Sequence, residues 1–495
     1  MSKGIKFLLG DEQREVEVID PTMTVLNYLR LVERRCGTKE GCAEGDCGAC
    51  TVVLGELEGD KLAYRAVNSC IQFMPTLDGK QLLTVEDLQS GDGSLHPVQQ
   101  AMVDNHGSQC GFCTPGFVMS LFALFHDGGI IDRQRIDDAL AGNLCRCTGY
   151  GPIIAAAEQM RSKGPQDRFS KNGAATARAV RALQHKTMAQ VAASNGRRYF
   201  APRRIDELAP LLLEHPDAVL LAGGTDVGLW VTKQHRRLDP VVYLSDVEEL
   251  QRLSVSASMI EIGAGVTYAR LLPAVAKEYP DFGELLRRLG SSQIRACGTM
   301  GGNVANGSPI GDSPPALIAL ASRLVLRRGS EQREIALEDF FIDYGKQDRR
   351  PGEFVEKILL PRRDPARLFH CYKISKRFDQ DITASLGAFN LKLEKGHVSD
   401  IRICYGGMAA TPKRARHCEK ALIGRPWSRE TIAGGQAALR EDYAPISDMR
   451  ASKTYRSLIA ENLLLKFFHE TDAEAGSEAH PETRVIAAAA KASHG

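Results

Sequence analysis

The spacing of hydrophobic positions changes from region to region along this chain, and the changes mark out its elements. From Val118 to Gly142, VMSLFALFHDGGIIDRQRIDDALAG repeats apolar residues at helical rather than alternating intervals around a DGG breaker. That pattern predicts two helices joined by a turn. From Arg204, RIDELAPLLLEHPDAVLLAGGTDVGLWV reads as an amphipathic helix, then a buried strand entering a glycine-rich turn. IEIGAGVTYARL, from Ile260, is a second strand-to-glycine turn. A third stretch, QIRACGTMGGNVANGSPIGDSPPALIAL, sets Gly298, Gly301, Gly302 and Gly307 among small polar residues. That many glycines would ruin a helix or a strand unless something must approach the backbone closely. Residues 163–198 are polar, basic and alanine-rich with weak periodicity, which predicts a linker with a marginal helix in its middle. Past residue 472 large apolar side chains are scarce, and the tail is expected to be disordered.

Composition narrows the class. A chain of 495 residues is too long for one core and, at roughly 100 to 200 residues per domain, holds about three or four. With 63 Lys plus Arg against 61 Asp plus Glu, a formal charge of +2 gives no reason to expect nucleic acid or an anionic membrane as partner. No apolar run approaches the ~18 residues of a membrane span, and MSKGIKFLLGDEQ is no signal peptide. A soluble, cytoplasmic protein with reduced thiols is expected.

Nine of the thirteen cysteines fall in the first 150 residues. Cys42, Cys47 and Cys50 have the spacing C-x4-C-x2-C, with Cys70 twenty residues later. This is plant-type [2Fe–2S] spacing, in which one long loop supplies three ligands; a four-thiolate zinc site usually pairs two short hooks instead. Gly41, Gly45 and Gly48 let the loop turn tightly while its amides approach the sulfurs. Cys36 lies outside this pattern and reads as a packed or free thiol. A second quartet follows, Cys110 and Cys113 with Cys145 and Cys147. The two predicted helices between these pairs would return one to the other, each thiol near a helix end. Taken alone this set fits zinc as well as iron–sulfur; two quartets in one chain favour a two-cluster electron relay.

GCAEGDCGACTVVL, VNSC, QCGFCTPGFVMS and GNLCRCTGYGPI, in this order, resemble the iron–sulfur part of the xanthine dehydrogenase/aldehyde oxidase family of molybdenum hydroxylases. The three glycine-rich segments are similar to that family's FAD-binding domain; no G-x-G-x-x-G opens a helix anywhere suitable for a Rossmann domain. The resemblance implies a multidomain α+β chain. Its parts would be a plant-ferredoxin-like β-grasp domain over 1–83 and a helical [2Fe–2S] domain over 84–162. A linker over 163–196, a vanillyl-alcohol-oxidase (PCMH) type FAD domain over 197–364, a CO-dehydrogenase-flavoprotein-like α/β domain over 365–472 and a disordered tail over 473–495 complete it.

The resemblance also implies site residues. Leu220, Leu221, Ala222, Gly223, Gly224, Thr225, Asp226 and Val227 would line the FAD pyrophosphate. Thr299, Gly302, Asn303, Asn306, Ser308 and Asp312 would serve the flavin and its ribityl chain, with Val355 and Lys373 as further contacts. Leu289 stands where family members often place an aromatic ring over the flavin. Gln109 would touch the pterin of a molybdenum cofactor; as a bare residue it reads only as a surface amide, and Lys373 only as a solvated lysine.

By the same resemblance the chain is a small subunit whose partner is a large molybdopterin-binding subunit, in a heterotetramer of two small and two large subunits. The partner would oxidise hypoxanthine or xanthine in purine catabolism, and no residue of this chain would be catalytic for that hydroxylation. Electrons would pass through two [2Fe–2S] clusters to FAD and then NAD. The same role in an aldehyde, nicotinate or carbon-monoxide oxidoreductase, a non-catalytic iron–sulfur scaffold or sensor, and a zinc-binding interaction protein remain as other readings.

Overall fold

In the computed structural model, residues 4–18, 20–160 and 166–472 are described. The expected tail, 473–495, lies outside the described residues. The chain divides into two units: Met1–Leu208 with Asp217–Glu248 and Gly290–Gly298, and Ala209–Pro216 with Glu249–Leu289 and Thr299–Gly495.

The first unit opens with a five-stranded mixed sheet in the order β2-β1-β5-β3-β4, formed by β1 (Gly4–Leu9), β2 (Glu12–Glu17), β3 (Thr51–Glu58), β4 (Lys61–Asn68) and β5 (Gln81–Leu83). β1 runs parallel to β5 and the other pairs are antiparallel. The predicted helices follow at Thr114–His126 and Arg133–Leu140, between Pro97–Asp104 and Gly151–Met160. Thr114–His126 is apolar nearly all round and buries ten residues from Gly116 to Phe125, so it forms the axis of this helical part.

The expected linker is more ordered than its polarity suggested. Arg168–Leu183 is a helix, capped at its start by Asp167 Oδ1, which accepts from Ser170 N at 2.8 Å. Its buried Val180 and Leu183 pack with Leu8, Leu57 and Leu62 of the first sheet, while Phe169 joins the core of the helical part. A four-stranded sheet ends this unit, in the order β6-β7-β9-β8, with β6 at Ala189–Ala192, β7 at Arg198–Ala201, β8 at Val219–Leu221 and β9 at Val241–Tyr243. Its Tyr199, Val241 and Tyr243 share one core with Phe7 and Val52 of the first sheet and with Tyr28.

Among the described residues the second unit holds two larger sheets. One runs β10-β11-β16-β12-β13, from β10 (Leu253–Val255), β11 (Met259–Gly263), β12 (Arg323–Arg328), β13 (Glu331–Ala336) and β16 (Phe354–Pro361); a small hairpin, β14 (Phe341–Asp343) and β15 (Lys346–Gln347), lies between the last two in sequence. The other runs β17-β18-β19-β20, from Arg367–Ile374, Ser385–Glu394, His397–Gly406 and Lys413–Arg414. Helices Arg416–Leu422, Arg429–Asp442 and Lys453–Thr471 contribute to its core.

One glycine-rich stretch behaves differently from its sequence expectation. Met300–Asn306 is a helix despite Gly301 and Gly302, because Thr299 caps it, Met300 and Val304 are buried, and Gly307 ends it at φ 65°. Close approach is nonetheless real at Gly301, where a Cβ would sit 2.5 Å from Ala264.

Candidate functional site

The first cysteine group is assembled by a hairpin. Antiparallel pairing of Thr51 with Asn68 brings together Cys50, just before β3, and Cys70, just after β4. Their sulfurs lie 3.3 Å apart, with only 1% and 2% of the two residues exposed. Gly45 and Gly48 turn the loop at φ 85° and 68°, and Cys47 N donates to Cys42 Sγ at 3.3 Å. Gly41 leaves room for Cys47 Sγ, which a Cβ there would meet at 2.7 Å. The thiols compete for protons. Hydrogen bonding with Cys47 drops the Cys42 thiol to about 5 and, with burial, drives Cys47 upward. Bonding with Cys70 lowers Cys50, while Cys70 is pushed far up. Four crowded sulfurs of this kind suit a cationic centre that replaces protons.

The second group sits between helices. Cys113 is the N-cap of Thr114–His126, and Cys145 and Cys147 precede Gly151–Met160. Cys110 interacts with Cys147 and Cys113 with Cys145, so all four come together. Burial pushes the Cys113 thiol up to about 12. Burial opposes ionisation of Cys145 too, but hydrogen bonds from Thr148, Cys147 and Cys113 together outweigh it and lower the thiol; the Thr148 hydroxyl is 3.2 Å from the sulfur. Cys110 and Cys147 are exposed, as are Gln109, Phe112 and Leu144. Cys36 is exposed and stays outside both groups.

A buried junction joins the two groups. Leu144 N donates to the Cys47 carbonyl at 3.0 Å, linking one cysteine to the residue before another. Three glycines make this possible: a Cβ on Gly48 would meet Gly142 O at 2.2 Å, one on Gly116 would meet Gly48 O at 2.2 Å, and one on Gly142 would meet Gln293 Oε1 at 2.0 Å. Asn143 Nδ2 donates to Gly48 O at 3.1 Å and to Thr51 Oγ1 at 3.2 Å. Ser120 Oγ donates to Asn143 Oδ1 at 2.6 Å, and Gln293 Nε2 donates to both Ser120 Oγ and Asn143 Oδ1 at 3.0 Å. Asn143 and Gln293 were not singled out from sequence; the neighbouring glycines were the available signal.

The expected flavin residues divide between the units. In the first, β8 runs into Gly223–Asp226, and among the described residues no hydrogen bond is made by these four backbone N–H groups. Unpaired backbone amides in succession are what a phosphate-binding nest requires. The loop rests on the Cys70 segment: Gln72 Nε2 donates to Gly223 O at 3.0 Å, and a Cβ on Gly224 would sit 3.0 Å from Ile71 O. Leu220 and Leu221 lie in β8, Ala222 follows it, and Val227 begins the next helix.

In the second unit the Thr299 hydroxyl accepts from Gly302 N at 3.0 Å, and Asn303 Oδ1 is buried with no hydrogen-bond partner among the described residues, an acceptor that suits a ligand donor. Lys373 is not solvated: it is 3% exposed and its Nζ donates to Asp312 Oδ2 at 2.7 Å, while the Thr383 hydroxyl donates to Asp312 Oδ1. The Asp312 carboxylate thus holds Lys373 in place. Leu289 and Ser308 are half-buried, Asn306 is exposed, and Val355 is buried in β16 opposite Leu326.

A further set of metal-type side chains, His96, His126 and Asp167, is closed by hydrogen bonds. Both Nε2 atoms lie on Asp167 Oδ2, at 2.7 and 2.8 Å. His96 Nδ1 accepts from Val98 N at 3.2 Å, so its ring proton sits on Nε2, where a metal would need a lone pair. Against its burial, the two imidazoles hold the Asp167 carboxyl far below the usual carboxylate range.

Four family models match in order: a 2Fe-2S iron-sulfur cluster binding domain at residues 7–74, a [2Fe-2S] binding domain at 84–158, an FAD binding domain in molybdopterin dehydrogenase at 191–363, and a CO dehydrogenase flavoprotein C-terminal domain at 370–471. Fold and site together define an iron–sulfur flavoprotein with two [2Fe–2S] domains and an FAD-binding domain. The chain belongs to the molybdenum hydroxylase family that includes xanthine dehydrogenase. It is 29% identical to xanthine dehydrogenase of Emericella nidulans, covering 94% of this chain and 38% of that protein. It is 30% identical to xanthine dehydrogenase 1 of Arabidopsis thaliana, covering 90% and 38%. The chain therefore spans about two fifths of the length of these relatives. Among solved structures, carbon monoxide dehydrogenase of Hydrogenophaga pseudoflava aligns with a TM-score of 0.52 at 25% identity, over 54% of this chain and 94% of that one. Among the described residues no helix is long and apolar enough to cross a membrane.

Proposed function

We propose that this chain is the electron-transfer part of a cytoplasmic xanthine dehydrogenase, passing electrons from purine oxidation at a partner's molybdenum site towards NAD. Cys42, Cys47, Cys50 and Cys70 hold one cluster, and Cys110, Cys113, Cys145 and Cys147 hold the other. Gly223–Asp226 are assigned to the FAD pyrophosphate, and Asn303, Asp312 and Lys373, as a separate set, to the flavin and its ribityl chain. Bound there, the clusters supply one-electron carriers and the flavin supplies the exchange between single electrons and hydride. The thiolates neutralise the iron, the hairpin and the helical loops fix the sulfur positions, and the free amides of Gly223–Asp226 bind phosphate.

The observation that carries this reading is the hydrogen bond from Leu144 to the Cys47 carbonyl, which sets one cysteine group directly against the other. A xanthine substrate is supported by the names of the relatives, and a molybdopterin-binding partner by the match to an FAD binding domain in molybdopterin dehydrogenase. The exposed edge at Gln109, Cys110 and Cys147 supports docking of that partner beside the second cluster.

Purification from the native source tests the whole reading. Iron near four atoms per chain, one FAD, two electron paramagnetic resonance signals on reduction and xanthine-dependent NAD reduction are expected. Zinc in place of iron, or no flavin, overturns it. Gln109→Ala should slow reduction of the clusters by xanthine while leaving their reduction by NADH intact; equal losses from both directions would reject the role of Gln109.

A further inference from the structure

The helix that begins at the proposed pyrophosphate loop, Val227–Thr232, ends against the first cysteine loop. Its C-cap residue, Lys233, donates through Nζ to the Cys42 carbonyl. The same ammonium lies 3.5 Å from Glu44 Oε2, two residues along that loop. A lysine at a helix C-terminus is favoured by the unpaired carbonyls there, but this one reaches across to a different segment. Gly228, one turn earlier, is packed so closely on Ile71 that a Cβ would sit 2.8 Å from Ile71 Cβ, so the helix is held at both ends beside residues of the Cys42–Cys70 group. Sequence reading assigned neither Lys233 nor Glu44 a role.

We propose that Lys233 and Glu44 form an opposed charge pair that sets the reduction potential of the cluster held by Cys42, Cys47, Cys50 and Cys70. The inference rests on the iron–sulfur reading above. Reduction adds one negative charge to a cluster, so a fixed positive charge at a ligand's carbonyl favours the reduced form and a carboxylate beside it disfavours that form. Lys233 and Glu44 are 40% and 39% exposed, which makes both contributions sensitive to salt. The second cluster's thiols lie on other elements, with no counterpart of Lys233 among their hydrogen-bond partners in the described residues.

The test is a potentiometric titration of the full, cofactor-loaded chain, following both cluster signals by electron paramagnetic resonance. Lys233→Met should make the first cluster harder to reduce, changing its reduced-to-oxidised ratio at a given potential by up to about tenfold, or ~59 mV for one electron. Glu44→Gln should move it in the opposite direction, Lys233→Arg should restore the unsubstituted value, and raising the salt should shrink both shifts. A purely structural tie would not give opposite signs at the two positions. The inference is overturned if the substitutions leave the first signal in place, move it the same way, or move both signals together. An unsubstituted protein that shows no first signal overturns the iron–sulfur reading itself, and with it this role for Lys233.

Discussion

Cys50 and Cys70 sit at the root of a β-hairpin, almost wholly buried, whereas Cys110 and Cys147 lie at the surface in loops between helices. In the first group the strand register positions the buried pair, so its geometry is inherited from long-range sheet pairing. In the second, local turns do the work: Gly111, Gly149 and Tyr150 take φ of 83°, 64° and 67°, and the Tyr150 hydroxyl accepts from Cys145 N at 3.0 Å. Half of the first group is therefore part of a core, and half of the second is an edge offered outward. Under the proposed function, that difference matches two tasks in one relay, an internal carrier beside the Gly223 loop and a carrier that meets the proposed partner.

Serine substitutions should break the comparison most visibly. Cys50→Ser puts a small hydroxyl into a buried cluster with Leu26 and Ile71, and should remove one resonance signal and destabilise the first unit by ~1–3 kcal/mol in a urea melt. Cys147→Ser should remove only the other signal and leave the melt within ~0.5 kcal/mol. Equal destabilisation by the two would show that burial does not separate the groups.

Two glycines sharpen the same contrast. Gly48 and Gly149 both sit beside cysteines at positive φ, but a Cβ on Gly48 would strike Gly142 O while nothing lies within 4 Å of one on Gly149. Both alanine variants carry the ~1 kcal/mol cost of a left-handed backbone. Gly48→Ala should add an overpacking cost of ~1–3 kcal/mol. Differential scanning calorimetry of the pair checks the difference.

Much of this contrast was legible in the sequence, and what was not has a physical reason. Cysteine spacing and the DGG breaker showed both groups and the helices between them, because metal loops and turns have local signatures. The helix Arg168–Leu183 read only as a marginal helix within a linker because two of its four buried residues, Ala177 and Val180, contribute little apolar signal next to Phe169 and Leu183. Asn143 and Gln293 were invisible because a buried amide looks like any surface amide until its partners are known. Gly301 and Gly302 read as breakers, yet a capped and buried turn of helix outweighs their propensity cost of ~1 kcal/mol each. Lys373 read as solvated because its partner, Asp312, is sixty-one positions away in the chain.

The amide junction gives a smaller effect. Gln293→Leu removes a donor shared by Ser120 and Asn143 and should cost ~1–2 kcal/mol. Asn143→Leu alone should cost more, since it also frees the Gly48 carbonyl and Thr51 hydroxyl. A double-mutant cycle should show coupling of at least ~0.5 kcal/mol, and strict additivity would mean the two amides do not act as one network.

Acid should separate the two domains by the smallest margin. Glu56, on the hairpin that carries the first group, resists ionisation through its burial, but Lys80 Nζ at 2.7 Å and Arg65 at 3.2 Å outweigh this and hold its carboxyl at about 2. Its folded value is depressed, so its contribution is full above the ordinary value of 4.5 and is lost as pH falls towards 2. By pH ~3.5 the loss is roughly 1 kcal/mol. Asp167, tied to His96 and His126 in the helical domain, is held lower still and keeps its charge through that range. Amide hydrogen exchange of the hairpin domain and of the helical domain, followed separately as pH is lowered, should show the sheet around Glu56 loosening first. Glu56→Gln should flatten that acid limb without altering the limb of the helical domain, and a change in both would mean that the carboxylate acts on the shared junction instead.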